Sequence, residues 1–219
     1  MPMGREKFDS EMALLHNDLT KMGNLATQML SKSVEAFKRL DMGLVGWVDS
    51  KKNELAELDH AIEKRALEMI TLYQPMASDM RMLGTALKLN TYLYRIGRYG
   101  KDIARDAAAL QGQSHISKVV MIPHMMDLVV GMVNDALKAF ETGDLSLLKD
   151  LAERDDEVDQ LWDSVFRECL TYMMEDQRNI TPSLHYIMVA RNLERCGDQA
   201  CKMAEKIHYM VTGEHIEIK

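Results

Sequence analysis

The chain has 219 residues, of which 47% are hydrophobic and 28% charged, a composition typical of a folded globular protein rather than a disordered one. Its formal net charge of −7 argues against a nucleic-acid partner, because backbone phosphates demand clustered Lys and Arg. Residues 1–12 contain acidic residues and no apolar run, which argues against a signal peptide. The longest apolar segment, residues 119–133, is interrupted by Pro123 and Asp127 and is too short to span a bilayer. These features predict a cytoplasmic protein that does not insert into a membrane.

Long segments with a 3.6-residue hydrophobic period predict three helices in the first half. The first runs from about residue 8 to residue 40, with an apolar side formed by Leu15, Leu19, Met22, Met29 and Phe37. Asp41 is the predicted N-cap of a second helix that ends near Tyr73. Gln74 and Pro75 interrupt the pattern, and a third helix is expected from residue 78 or 79 to about residue 110.

A polar linker at residues 111–114 separates this half from a second one with the same plan. Helices are predicted over residues 122–141, 144–174 and 182–211, the last with Thr181 as N-cap and Pro182 at its first position. Alternating β-branched runs and hairpin turns are absent. The predicted fold is all-α, with two tandem antiparallel three-helix bundles: residues 1–112 and residues 113–219.

The two halves are related by an internal repeat. Residues 37–41 (FKRLD) align with residues 140–144 (FETGD) at an offset of 103, and residues 93–98 (LYRIGR) align with residues 193–198 (LERCGD) at an offset of 100. The three-residue difference falls in the connection between these segments, where loops accept length changes. A period near 100 residues is too long for a solenoid unit and suits two small domains of common design.

Two acidic pairs stand out in the second half: Asp155 with Asp159, and Glu194 with Asp198. A spacing of four residues places each pair on one face of its helix, and adjacent antiparallel helices can bring the pairs together. Converging carboxylates repel one another unless a cation neutralises them, and ligation by oxygen alone suits Mg²⁺, Mn²⁺ or iron. Gly197 permits a close approach of the helices. The alternative is that all four are solvated surface charges.

The chain resembles the PhoU family of phosphate-uptake regulators over essentially its whole length. The segments that carry the resemblance are residues 74–81 (QPMASDMR), 171–176 (TYMMED), 190–198 (ARNLERCGD) and 211–214 (VTGE). Family members look like two three-helix bundles whose acidic motifs hold metal clusters. The resemblance implies that the metal-motif positions of the second bundle are Asp155, Asp159, Glu194 and Asp198. The expected metal is iron, zinc, manganese or magnesium, in the second bundle only.

The first bundle departs from this motif. Tyr94 and Arg98 stand where the family usually has Glu and Asp, and Lys52 and Ala56 stand opposite Asp155 and Asp159 of the repeat. Positive charge where a cation would sit opposes metal binding. We expect Arg98 to pair instead with Asp102, one helical turn away.

The resemblance also implies a function and partners. A PhoU protein binds the cytoplasmic ATPase subunit of a phosphate ABC transporter and a membrane sensor histidine kinase, and it restrains phosphate uptake and the phosphate-starvation response when phosphate is plentiful. Nucleophile elbows and phosphate-cradling glycine loops are absent from the sequence, so we expect a regulator and not an enzyme. Long amphipathic helices favour a homodimer. A metal-binding adaptor of another phosphate carrier remains an alternative.

A di-iron carboxylate enzyme is a further alternative, because residues 57–60 and residues 205–208 both match the Glu-x-x-His element of ferritin-like bundles. The two motifs fall in different repeats without counterparts, and Glu57 and His60 are predicted to face water, which argues against it.

Other single residues carry simpler expectations. The three cysteines are predicted to be buried free thiols: Cys169, Cys196 and Cys201. Arg81, Arg95 and Arg195 are expected to make surface ion pairs or partner contacts, not to sense free phosphate. The 19 methionines suit adaptable core packing or, alternatively, a Met-rich partner groove.

Overall fold

A computed structural model describes residues 2–116 and 120–218, and all regular structure in these ranges is helical. Seven α-helices are α1 (Pro2–Arg39), α2 (Met42–Ser50), α3 (Lys52–Tyr73), α4 (Ala77–Ala109), α5 (Met121–Thr142), α6 (Leu151–Glu175) and α7 (Ile180–Thr212). Two 3-10 turns, Leu145–Leu148 and Gln177–Asn179, precede α6 and α7. The all-α prediction is confirmed. Val119, in the apolar segment considered above, lies outside the described residues.

The ends of the helices follow local hydrogen-bonding chemistry. As predicted, Asp41 caps α2, because its carboxylate accepts hydrogen bonds from the backbone N–H groups of Gly43 and Leu44 at 2.8 and 3.2 Å. Gly143 and Gly213 end α5 and α7 with φ of 72° and 80°, left-handed values that glycine adopts without strain.

Several predicted helix boundaries are wrong. The first helix begins at Pro2 and not near Phe8, and the helix expected from Asp144 begins at Leu151, after the 3-10 turn Leu145–Leu148. The helix expected from Asp41 to Tyr73 is two helices, because the N–H of Lys51 bonds back to Val48 and Asp49 and closes α2. The last helix begins at Ile180 and not at Pro182. A proline within the first turn costs no hydrogen bond, since the N–H groups there have no helical acceptor.

Each half is built from three long helices. In the first, α1 packs against α3 and α4; in the second, α5 and α6 pack against α7. The predicted core residues of α1 are buried: Leu15, Leu19, Met22, Met29 and Phe37. The halves also pack on each other through α4 with α7 and α1 with α5, and one continuous group of buried apolar side chains spans both.

His115, just after the linker, joins the two halves. Its Nδ1 atom hydrogen-bonds the hydroxyl of Tyr186 in α7, and its Nε2 atom lies 3.1 Å from the carbonyl oxygen of Lys38 in α1. Tyr186 packs edge-on against Phe37 with ring centroids 4.9 Å apart. The boundary at residue 112 stays a prediction. Within the part of the chain that the structure describes, no helix is both long enough and apolar enough to cross a membrane.

Candidate functional site

The four predicted site residues lie on two neighbouring antiparallel helices. Asp155 and Asp159 are on α6, and Glu194 and Asp198 are on α7. Gly197 lets the helices meet: a Cβ atom there would lie 2.6 Å from Oδ1 of Asp155, so the aspartate fills the space that the glycine leaves. The structure therefore brings both acidic pairs to one edge of the second bundle, as the sequence predicts.

The electrostatics of this edge are those of crowded carboxylates. Burial, together with the charges of Asp159 and Asp198, raises the pKa of Asp155 to about 6, against a hydrogen bond from the Cys201 thiol that lowers it. Partial desolvation and then the charge of Asp198 raise the pKa of Asp159. Mutual repulsion therefore favours the neutral acids, or a cation that pairs with the charged forms.

Glu194 forms an ion pair with Arg191, three residues earlier on the same helix. Its Oε1 atom accepts a hydrogen bond from Arg191 at 2.6 Å, and Arg191 also lies over the ring of Trp162, 5.4 Å from its centroid. Burial raises the pKa of Glu194, although the charge of Arg191 lowers it. The second oxygen, Oε2, is buried without a hydrogen-bond partner. This atom is therefore an acceptor that no donor occupies.

These residues fit a metal ion in chemistry but are not gathered around one point. Their donors are carboxylate oxygens, which suit hard cations, and the unpaired Oε2 atom of Glu194 is available. However, Arg191 occupies Oε1 of Glu194, and Asp155 bonds the thiol of Cys201. Among residues 2–116 and 120–218, no group of three or more His, Cys, Asp or Glu side chains is placed to hold a metal ion. The metal site therefore stays a prediction.

The equivalent edge of the first bundle has different chemistry. Leu55 fills the space above Gly97, where Asp155 fills the space above Gly197. Arg98 lies over the ring of Tyr94 at 5.9 Å. The predicted ion pair of Arg98 with Asp102 is wrong, because Asp102 pairs with Arg105 at 3.2 Å. A cation–π contact takes its place.

The remaining candidate residues have structural roles. All three cysteines are buried and free, as predicted, and burial raises the pKa of the Cys169 thiol to about 11. Glu57 and His60 are exposed, as expected. Glu205 accepts a hydrogen bond from the backbone of Ile218, and His208 contacts the carbonyl of Glu214. The Glu-x-x-His motif of α7 therefore binds the C-terminal segment, which argues against a di-iron centre.

Sequence reasoning missed an exposed apolar surface that continues from the acidic edge along α6 and α7. We name it the outer apolar face; it consists of Phe166, Leu170, Met174, Ile180, Leu184 and Met188, which are 37–88% exposed. Trp162 stacks on Phe166 and links this face to Arg191 and the acidic edge. The signal was available, since four-residue spacing places these positions on one side of each helix.

The outer apolar face is only partly matched in the first half, where Leu67 and Met80 are the exposed apolar equivalents of Leu170 and Ile180. At the repeat offsets, Phe166 corresponds to Glu63, Leu184 to Gly84 and Met188 to Lys88. Because monomeric proteins seldom expose contiguous apolar patches without a use, the difference at Phe166, Leu184 and Met188 indicates a contact surface that is more apolar in the second half.

Comparison with known proteins agrees with the repeat. The PhoU domain model matches residues 19–107 and 122–207, one match in each half. A Rhizobium meliloti protein named phosphate-specific transport system accessory protein PhoU homolog is 37% identical over 207 residues, 94% of this chain and 87% of its own length. A Caulobacter vibrioides protein of the same name is 38% identical over 212 residues, 96% of this chain and 92% of its own.

Solved structures show the same fold. The crystal structure of PhoU from Pseudomonas aeruginosa has a TM-score of 0.89 and 33% identity, covering 94% of this chain and 100% of that one. The phosphate transport system regulatory protein PhoU from Streptococcus pneumoniae has a TM-score of 0.87 and 25% identity, covering 96% of this chain and 99% of that one.

Proposed function

Because the chain belongs to the PhoU family, we propose that it is the accessory protein of a phosphate-specific transport system and restrains phosphate uptake and the phosphate-starvation response when phosphate is plentiful. The observation that carries this proposal is the PhoU domain match in both halves, together with relatives of that name that align with nearly the whole chain. The protein acts by binding, not by catalysis.

The proposed partners are the ATPase subunit of a phosphate ABC transporter and a phosphate sensor histidine kinase, both contacted in the cytoplasm. The outer apolar face supports a docking role, because exposed Phe166, Leu184 and Met188 lose water when a partner covers them. Arg191 and Trp162 lie at the end of this face and belong to residue types that often dominate binding energy. A homodimer completes the proposed assembly, and light scattering of the purified protein measures its mass.

A metal ion bound by Asp155, Asp159, Glu194 and Asp198 would stiffen the same edge. The ion would supply positive charge where carboxylates repel one another, and it would compete with Arg191 for Glu194. Release of Arg191 would alter the end of the outer apolar face at Trp162. Metal binding and partner binding are therefore proposed to share one surface.

Deletion of the gene tests the proposed function. In a strain without this chain, we expect phosphate uptake and a starvation-promoter reporter to stay high in phosphate-rich medium, and a plasmid copy of the gene to restore repression. Unchanged uptake and unchanged reporter output in the deletion strain would reject the proposal.

A further inference from the structure

A cavity of about 380 Å³ lies between the first turns of α4 and the last turns of α7. Its lining residues are Met80, Arg81, Gly84, Thr85, Lys88, Lys206, Tyr209 and His215. Two contacts join its walls: the Thr85 hydroxyl donates to the carbonyl of Lys206 at 3.2 Å, and Arg81 donates to the carbonyl of Met210 at 3.4 Å. The cavity therefore lies at the seam between the two halves, far along α7 from the acidic edge.

The charge of this cavity is unbalanced. Arg81, Lys88 and Lys206 line it, no carboxylate lines it, and none of the three makes an ion pair within the described residues. Of the acidic residues next to the lining in sequence, Asp79 is paired with Arg5 at 2.6 Å, and Glu205 accepts a hydrogen bond from the backbone of Ile218. Three cations line a cavity that no carboxylate lines, although Lys88 also borders the neighbouring cleft of Asp59 and Glu63, and together they create a local attraction for an anion.

The cavity also has an apolar part that suits a flat group. A Cβ atom at Gly84 would meet no atom within 4 Å, and Gly84 is exposed, so the cavity is open to solvent there. The Tyr209 ring forms one wall and is kept in place by stacking on His215, with centroids 4.2 Å apart. Met80 adds an apolar rim and is 42% exposed. A volume in the range of small-molecule sites, with apolar walls and a few polar groups, is the usual form of a ligand pocket.

From these features we infer that the cavity binds a small organic phosphate with a flat ring, the chemical class of nucleoside monophosphates. Arg81, Lys88 and Lys206 contact the doubly charged phosphate, because charged hydrogen-bond donors favour phosphate oxygens. The backbone surface at Gly84 and the Tyr209 ring contact the flat group. This inference does not depend on the proposed regulatory function, and each can fail without the other.

The second half supplies the substitutions for a test. Leu184 and Met188 stand at the positions equivalent to Gly84 and Lys88, so Gly84→Leu fills the open space at Gly84 and Lys88→Met removes one cation with side chains that the same fold already accepts. Gly46→Leu and Lys202→Met are matched controls, because Gly46 also has open space around it and Lys202 is exposed on α7 outside the cavity. Circular dichroism melting checks that all four variants fold.

Isothermal titration of the full-length protein with AMP, UMP, adenosine and inorganic phosphate gives the measurement. We expect the two nucleotides to bind about tenfold or more tightly than adenosine or phosphate, and to bind more weakly as salt rises. Gly84→Leu and Lys88→Met should each weaken nucleotide binding by about fivefold or more, while the controls leave it unchanged. The inference would be overturned if neither nucleotide bound at about 5 mM, roughly the largest dissociation constant of a specific small-molecule site. Unchanged nucleotide affinity in the folded Gly84→Leu variant would also overturn it.

Discussion

Gly100 stands where α1 and α4 pack backbone to backbone. A Cβ atom at this position would lie 3.0 Å from the amide nitrogen of Leu30 and 3.0 Å from the carbonyl carbon of Met29. Backbone atoms in two packed helices cannot move aside as a flexible side chain can. We predict that Gly100→Ala lowers the free energy of unfolding by about 1–3 kcal/mol, measured by denaturant titration.

Gly84→Ala is the matched control, because a Cβ atom there meets nothing within 4 Å. Alanine is the better helix former, so this substitution should leave stability unchanged or raise it by up to about 1 kcal/mol. Equal destabilisation by the two substitutions would contradict the close contact at Gly100.

Asp155 should make the metal-free protein less stable as the pH rises. Its pKa is raised from 3.8 to about 6 in the folded state, so between these values the folded chain binds more protons than the unfolded chain. The contribution of Asp155 to the free energy of unfolding therefore falls from pH 4 to pH 7. Asp155→Asn removes the buried charge and keeps an acceptor for the Cys201 thiol, so it should raise stability at pH 7 by about 1–2 kcal/mol and change little at pH 4. Urea titrations of chelated protein at both pH values check this, and a larger gain at pH 4 would contradict it.

For single residues, the sequence predicts which side chains share an edge of the bundle but not which ion pairs and hydrogen bonds each side chain makes. The four-residue spacing of Asp155 with Asp159 and of Glu194 with Asp198 was enough to place both pairs on one edge. The pairing of Glu194 with Arg191, and of Asp102 with Arg105 instead of Arg98, depends on side-chain rotamers. Periodicity carries no information about these.

Among the elements, the short helix α2 depends on a cap that the sequence identifies. Asp41 accepts two backbone hydrogen bonds, and Asp144 accepts one from Ser146 at the equivalent position of the second half. We predict that Asp41→Ala lowers the free energy of unfolding by about 0.5–2 kcal/mol, whereas Asp41→Asn, which keeps the acceptor, costs less. Thermal melting of both variants is the test. A loss with asparagine as large as with alanine would show that the cap is not the cause.

Helical structure was predictable along residues 2–116 and 120–218, whereas some boundaries and the division of α2 from α3 were not. Long apolar periods located α1, α4, α5 and α7 to within a few residues except at the start of α1. Neither glycine nor proline marks the break at Lys51. Hydrogen bonds from the backbone N–H of Lys51 to the carbonyls of Val48 and Asp49 end α2 there. Packing between the halves, through α4 with α7, also escaped prediction, since the same apolar stripe serves a core within one bundle or between two.

For the whole molecule, we predict that the two halves differ in metal binding. The double substitution Glu194→Ala and Asp198→Ala should abolish metal uptake when the protein is first treated with chelator and then supplied with metal. It removes the carboxylates of α7 from the acidic edge. Ala at both Tyr94 and Arg98 should leave metal content unchanged, since the first half offers a cation–π contact there. Elemental analysis measures both. Metal retained by the first double variant, or lost from the second, would contradict the prediction.

The central claim is that the second half carries the surface by which this chain acts on its partners. The direct measurement is capture of the phosphate transporter's ATPase subunit by the immobilised protein and by a variant in which Phe166→Glu and Met188→Lys install the first-half residues. A matched control carries Leu67→Glu and Leu72→Lys, which place charges on exposed apolar residues of the first half, 49% and 72% exposed. We predict that the wild type and the control capture the subunit equally, and that the second-half variant captures at least about tenfold less. Equal capture by the second-half variant, or loss of capture by the first-half control, would contradict the claim.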